Sequence, residues 1–503
     1  MPYLIGLDIG TSGAKALLCT ASGHVLATAT AEYPLFTPHA LWSEQNPADW
    51  WRAAREAIRT VLHTSAIAAN DVVGLGLTGQ MHGAVFLDAD DAVIRPALLW
   101  NDQRTAAECI EITNLVGAMR LIEIAGNPAL TGFQAPKILW LRNNEPAHYA
   151  RIARVLLPKD YIRLKLTGNA ATDASDAAGT LLLDLRRRDW SDTILSALAI
   201  PRAWLPRVYE GPDATGTLLH AVAKELGLPS GLPIAAGGGD NAAAAVGTGI
   251  VRSGVISSSI GTSGVLFAHT DHIALDPQGR LHSFCHAVPG TYHLMAVTLA
   301  AGGAFQWLRN TFRQLGLPTL GYAELSAHAA SAPIGAEGLI FLPYLSGERT
   351  PHLDPLARGA FIGLTTRHTI AHMTRAVMEG VTYALRDGLE IMRGLGLALD
   401  EVRATGGGGK SPFWCQLQAD IYGAPVATLT AEEGPAYGAA LLSGVMSGTF
   451  ADVADAVARC VTISGTTTPD PAAQERYAQV YTIYRGAYAQ LRDTMHGLAA
   501  LAG

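Results

Sequence analysis

The sequence predicts an α/β protein of two related domains, and three observations predict it. The phrase Ile-Gly-Thr-Ser-Gly stands at 9–13 and again at 260–264. Each copy follows an apolar or small-residue run that reads as a buried strand, so each half opens with the same hairpin. Glycine bends then recur where strand-like runs give way to helical spacing. The expected boundary lies between residues 248 and 249, giving domains 1–248 and 249–503. With 49% hydrophobic and 16% charged residues, the chain has apolar material for two sizeable cores.

Residues 4–9 form the first strand, Gly10 to Gly13 the turn and residues 14–18 the returning strand. Glycines there let backbone approach a phosphate, and turn N–H groups with the hydroxyls of Thr11 and Ser12 cradle it. Lys15 adds a point charge. Asp8 is the odd residue, because an acid in an apolar strand is costly unless it holds a metal or a hydrogen bond; magnesium on a nucleotide is the natural partner. A third strand covers 25–30 and a helix 50–63. The strand 71–77 exits into Thr78-Gly79-Gln80-Met81-His82-Gly83. Short strands at 85–87 and 98–100 follow, the second ending in Asn101 and Asp102. Residues 105–230 read as mostly helical, an insertion over the sugar side.

A strand at 233–236 runs into Gly237-Gly238-Gly239-Asp240-Asn241 and an alanine-rich helix. An acid at a helix start also complements the helix dipole. The second half repeats the hairpin with Gly261, Thr262 and Ser263. It continues with a helix holding Gly302 and Gln306, the loop 343–351, a long helix over 370–395 and a strand into Gly406, Gly407 and Ser411. Helices 412–422, 435–447 and 472–500 close the chain. Glycines at a strand-to-helix bend suit a flat purine or a phosphate lying on backbone.

With 36 basic and 43 acidic residues the formal charge is −7, so no basic surface points to nucleic acid or an anionic membrane. Five scattered cysteines, with no Cys-X-X-Cys, fit a reduced cytoplasmic protein. There is no signal-peptide pattern at the start and no apolar run of the roughly 18 residues a membrane helix needs.

Two isolated acids and paired glycine hairpins suit phosphoryl transfer, which needs positioning, charge neutralisation and a base. Asp8 serves the metal and Asp240 takes a hydroxyl proton. Thr11, Ser12, Lys15, Thr262 and Ser263 hold phosphates. Gln80, His82, Asn101, Asp102, Arg104 and Asn241 form the polar edge for a polyhydroxy substrate, with Trp42 or Trp100 on its apolar face. Each residue alone has a plainer role, in packing, in a cap or on the surface. A nucleotide-switched binding protein is the alternative from another class, although it has no need of Asp240 beside a sugar-like edge.

Across nearly its whole length the chain resembles the FGGY family of carbohydrate kinases. The carriers are Asp8 to Lys15, Leu41 to Gln45, Gly79 to Gly83, Leu99 to Asp102, Leu156 to Tyr161, Gly237 to Asn241 and Phe341 to Pro351. The signature from Gly359 to Glu379 is also intact. The resemblance implies two actin-like (ribonuclease H-like) ATPase domains with a cleft between them. It implies ATP and Mg2+, with Asp240 as general base and Asp8 supporting the metal. Met81 and His82 match the family's sugar-binding pair. Thr11, Ser12, Lys15, Thr262, Gly302, Gln306, Gly407 and Ser411 match its nucleotide residues. The Gln-Met-His-Gly and Leu-Leu-Pro-Lys-Asp-Tyr phrases are similar to members that phosphorylate D-xylulose; ribulose, gluconate and glycerol are the sibling substrates. Family habit implies a homodimer. Two departures stand out: Gln134, where a small hydroxyl or proline is usual, and Gly409-Lys410, where alanine and a basic residue often follow the bend.

Overall fold

The computed structural model describes residues 2–314, 316, 320–430 and 434–501. Two mixed sheets carry it. The first holds β1 (Tyr3–Ile9), β2 (Gly13–Thr20), β3 (Val25–Glu32), β4 (Val72–Gly79), β5 (Ala214–Thr217) and β6 (Pro233–Gly239), in the order β5-β6-β4-β1-β2-β3. The hairpin β1–β2–β3 is antiparallel, while β1, β4 and β6 run parallel. The second sheet holds β7 (Gly254–Ile260), β8 (Gly264–Thr270), β9 (His282–Cys285), β10 (Tyr292–Thr298), β11 (Leu399–Thr405), β12 (Val426–Leu429) and β13 (Ile463–Thr467). Its order is β9-β10-β8-β7-β11-β12-β13. Again an antiparallel hairpin, β7–β8, opens the unit and a parallel strand, β11, flanks it. The repeated phrase is thus the same turn in two equivalent sheets.

Seven helices matter for the site: α1 (Pro47–Ser65), α2 (Asp240–Gly247), α3 (Gly302–Gln314), α4 (Ile370–Gly394), α5 (Pro412–Tyr422), α6 (Gly434–Met446) and α7 (Pro471–Leu501). Asn46 caps α1, accepting from the Ala48 N–H, with proline at the first helical position. The α1 stripe of Trp50, Ala53, Ala54, Ala57, Ile58 and Val61 is buried on the first sheet. The second core gathers β7, β8, β10, α3, α4, α5 and α7.

Two points go beyond the sequence reading. The segment 105–230 is mostly helical, as expected, but it also carries short strands, among them Arg154–Leu156, Ala171–Asp173 and Arg207–Tyr209. These were hidden because two or three residues show no period. Secondly, α6 does not merely close the second half. It lies on β1, β4 and α2, with Ala436, Ala440 and Leu441 in a cluster with Leu4, Leu17, Ala242 and Val246. No helix among the described residues is long and apolar enough to cross a membrane.

Candidate active site

Ligand sites in sheets of this kind collect at the carboxyl ends of parallel strands. Asp8 sits near that end of β1, opposite Lys15 on β2 and beside Thr78 on β4. Asp240 starts α2, one residue beyond β6, whose last residue pairs with Gly79. Burial pushes the Asp8 carboxyl up to about 7; repulsion from Asp240 adds to this and Lys15 opposes it. Burial likewise pushes Asp240 up to about 6, although its Oδ1 accepts from the Asn241 N–H (2.7 Å) and side-chain amide (2.9 Å). Asp8 Oδ1 and Thr78 Oγ1 are buried with no hydrogen-bond partner among the described residues. An orphaned carboxylate oxygen beside the phosphate turn is the donor a hard cation takes.

A small cavity of about 80 Å3 lies between the halves, lined by Met81, His82 and Asn241 from the first and by His282, Phe284 and Arg349 from the second. His82 has a positive φ of 70° and its Nδ1 donates to the Gly179 carbonyl (2.6 Å). Burial pushes its pKa down to about 3, so the ring is neutral and Nε2 is an acceptor. Phe133 packs edge-on against it, ring centres 4.9 Å apart. Lys137 fixes the Phe133 loop, donating to the Thr131 (3.1 Å), Gly132 and Phe133 (2.8 Å) carbonyls.

Asp240 is held from behind. The Gly239 N–H donates to Ser175 Oγ (3.1 Å), and Arg163 grips the Ala235 (2.8 Å) and Ala236 carbonyls of β6. Lys159, fully buried, faces Asp160 (2.7 Å), Asp173 (2.7 Å) and Asp176 (3.1 Å). The Leu-Leu-Pro-Lys-Asp-Tyr phrase therefore belongs to the support of the site.

The second cavity, about 760 Å3, lies on the second sheet. Gly261, Thr262, Gly302, Gln306, Gly407 and Ser411 line it, as expected, joined by Phe305, Tyr322, Phe413 and Trp414. Its volume and its apolar and glycine walls suit a nucleotide base and ribose. The Gly302 N–H donates to the Gly261 carbonyl (2.8 Å), and a Cβ on Gly302 would stand 2.4 Å from that oxygen. Gly406 has φ 70° and bridges Ile260, placing the glycine turn at the end of β7. Ser411 also caps α5 through the Trp414 N–H (3.3 Å).

Other expected residues sit elsewhere. Gln80 does not line the small cavity: it is buried, and its amide donates to the Gly10 carbonyl (3.3 Å) and to Gln45 (3.0 Å), bracing the first turn. Asp102 is fully buried and spent on Arg104 (2.7 Å) and the Ser43 N–H (2.7 Å). Arg104 in turn stacks on Trp42 at 3.5 Å, so Trp42 is no sugar platform, whereas Trp100 lines the cavity and donates to Thr11 Oγ1 (3.0 Å). Asn101 lies outside the lining, its Oδ1 buried and unpartnered among the described residues. Ser12 and Ser263 are exposed at the two turns and Gly406 lies just outside the lining, with Lys15 half-buried beneath the first turn.

The departures have explanations. Gln134 donates to the Gly83 (2.8 Å) and Leu156 (3.1 Å) carbonyls, tying the Met81-His82 loop to its support. Lys410 lines the nucleotide cavity. Reasoning from sequence missed Phe133, His282, Phe284 and Arg349; the 343–351 phrase was the one signal for Arg349, which is partly buried beside the buried Glu348.

Comparison with known proteins agrees with this geometry. Residues 3–247 match the N-terminal domain of the FGGY family of carbohydrate kinases, and residues 256–447 its C-terminal domain. The xylulose kinase of Escherichia coli (strain K12) is 46% identical over 442 residues, 88% of this chain and 89% of that protein. That of Bacillus subtilis (strain 168) is 40% identical over 493 residues, 98% of each. The crystal structure of xylulose kinase from Rhodospirillum rubrum superposes with a TM-score of 0.92 at 32% identity, covering 98% of this chain and 100% of that one.

Proposed function

This chain belongs to the FGGY family of carbohydrate kinases, and from that premise we propose that it transfers the γ-phosphoryl group of ATP to the terminal hydroxyl of D-xylulose. The product is D-xylulose 5-phosphate. The observation that carries the reading is the placement of Asp240: at the mouth of α2, raised by burial, one residue from Asn241 in the small cavity. The kinship with xylulose kinases across both domains supports the choice of sugar.

The sugar lies against Met81 and Phe133, and neutral His82 accepts from one of its hydroxyls through Nε2. The Asp240 carboxylate accepts the proton of the terminal hydroxyl. That oxygen bonds to the γ-phosphorus as the bond to the bridging oxygen of ADP breaks, and ADP leaves with the electron pair. Asn241 keeps Asp240 Oδ1 in place through two hydrogen bonds. The glycine turns at Gly10–Gly13 and Gly261–Ser263 give backbone N–H groups to the phosphates, with Lys15 beside the first. Asp8 fits as a holder of Mg2+, given its orphaned Oδ1; bound there, the ion neutralises phosphate charge.

Coupled ADP release with MgATP tests the reading against D-xylulose, D-ribulose, L-ribulose, gluconate and glycerol, with a blank lacking sugar. A strong preference for D-xylulose is expected. Equal turnover of another compound overturns the substrate, and hydrolysis indifferent to every sugar overturns the kinase. Asp240→Asn is expected to lose about 100- to 10,000-fold in turnover while keeping its fold; near-normal turnover removes Asp240 as base.

A further inference from the structure

The loop 343–351 is a phrase that the mechanism above leaves unused. It is built rigidly. The Thr350 N–H donates to the Val297 carbonyl (3.0 Å), and Thr350 Oγ1 accepts from the Val297 N–H (3.1 Å) and donates to the Arg280 carbonyl (2.8 Å). Buried Glu348 accepts from the N–H groups of Leu299 (3.0 Å) and Arg349 (2.7 Å) through Oε1. These bonds staple the loop to the end of β10, whose Met295 and Val297 line the sugar cavity.

Arg349 projects from this staple into the same cavity. Its environment is unusual for a guanidinium. Among the described residues no carboxylate forms an ion pair with it, and its one side-chain hydrogen bond runs from Nη1 to His282 Nε2, at 3.4 Å. The tautomer of His282 is set by its other nitrogen. Asn127 donates through Nδ2 to the Ala125 (3.1 Å) and Ser283 (2.8 Å) carbonyls, so its Oδ1 receives the proton of His282 Nδ1 (2.7 Å). His282 Nε2 is therefore an acceptor, and it holds one corner of the fork. A guanidinium has five donors in a fixed plane. One long bond leaves the others aimed at whatever occupies the cavity, and a largely desolvated cation needs those partners.

We propose that Arg349 is a substrate-contacting specificity residue, its guanidinium donating hydrogen bonds to oxygen atoms of the bound ketose. The inference rests on the small cavity being the sugar site. Arg349 belongs to the second half and Met81, His82 and Asn241 to the first, so the sugar is held from both sides. His282 is the positioning residue that orients the fork.

Steady-state kinetics and calorimetry on Arg349→Met and Arg349→Lys test this, with D-xylulose and MgATP as the titrated ligands. Loss of charged hydrogen bonds is expected to raise the KM for D-xylulose about 10- to 100-fold in Arg349→Met, with the KM for ATP within about twofold of the parent. Arg349→Lys, which keeps the charge and loses the fork, falls between. A parent that shows no D-xylulose dependence sinks the substrate reading instead. A responsive parent with sugar KM unchanged in the variants overturns the role of Arg349, as does an equal rise in both KM values. Should Arg349→Met fail to fold, Arg349→Lys decides alone.

Discussion

Burial dominates the ionisation of Asp240, and its two bonds from Asn241 only partly offset it, leaving the carboxyl at about 6. A general base works only as the carboxylate. The rate on the free enzyme, kcat/KM, is therefore expected to fall about tenfold per pH unit below about 6 and to level above it. A profile between pH 5 and 8 with saturating metal checks this; a flat acid side would assign the proton to another group. The residues that carry this chemistry were legible in the sequence because each is an acid abutting an apolar strand. Asp8 and Asp240 announce themselves in that way. Phe133, His282, Phe284 and Arg349 do not, since they come from three separate segments and look like ordinary core or loop until the chain brings them to one cavity. Gln80 and Asp102 erred in the opposite direction: polar residues next to a functional phrase turned out to brace backbone and Arg104 rather than face substrate.

Among the elements, β8, β9 and β10 carry a file of buried histidines. His293 on β10 lies opposite His269 on β8 and stacks on Phe267, ring centres 4.1 Å apart. Burial pushes His293 down to about 3, and it pushes His282 and His286 well below their ordinary value; His269 and Arg188 repel His286 further. The folded state thus refuses protons that the unfolded chain accepts near 6.5. Between those values the unfolded state binds more protons, so stability falls as pH falls. One such histidine costs about 2 kcal/mol at pH 5 relative to neutral pH. Denaturant melts at pH 7.5 and 5 are expected to show a loss that shrinks in His293→Phe; an unchanged pH slope in that variant would place the titration elsewhere. The sequence showed these histidines but not their neighbours, because strand pairing sets which ring meets which.

A second element-scale case is α6. A Cβ on Gly6 of β1 would stand 1.7 Å from the Ala436 carbonyl, one on Gly76 of β4 1.8 Å from that of Ala439, and one on Gly438 1.8 Å from that of Ala243 in α2. At these points backbone lies on backbone, and no side chain is there to yield. Gly438→Val is expected to cost about 3 kcal/mol or more in unfolding free energy. A loss under about 1 kcal/mol would mean that the helix can lift from the sheet. Nothing in the sequence marks these glycines; their role as contact points needed partners roughly 200 to 430 residues away.

For the whole molecule, the division of labour between the halves sets the motion. The large cavity proposed for the nucleotide is lined wholly by residues between Ile260 and Trp414, the small one proposed for the sugar by both halves, and the proposed transfer residues Asp8 and Asp240 come from the first. ATP held on one half meets its acceptor only when the halves are brought together, and water must be excluded at that moment if ATP is not to be hydrolysed. The glycine contacts of α6 on β1, β4 and α2 leave little room for sliding there, so closure is expected to be a rotation about that joint. Small-angle scattering is expected to show a smaller radius of gyration with D-xylulose and a non-hydrolysable ATP analogue together than with the analogue alone. Hydrolysis of ATP without sugar should be correspondingly slow. If scattering shows no compaction while turnover is normal, the cleft is already closed in the free protein, and exclusion of water falls to the fixed walls that Phe133, Phe284 and Trp100 supply.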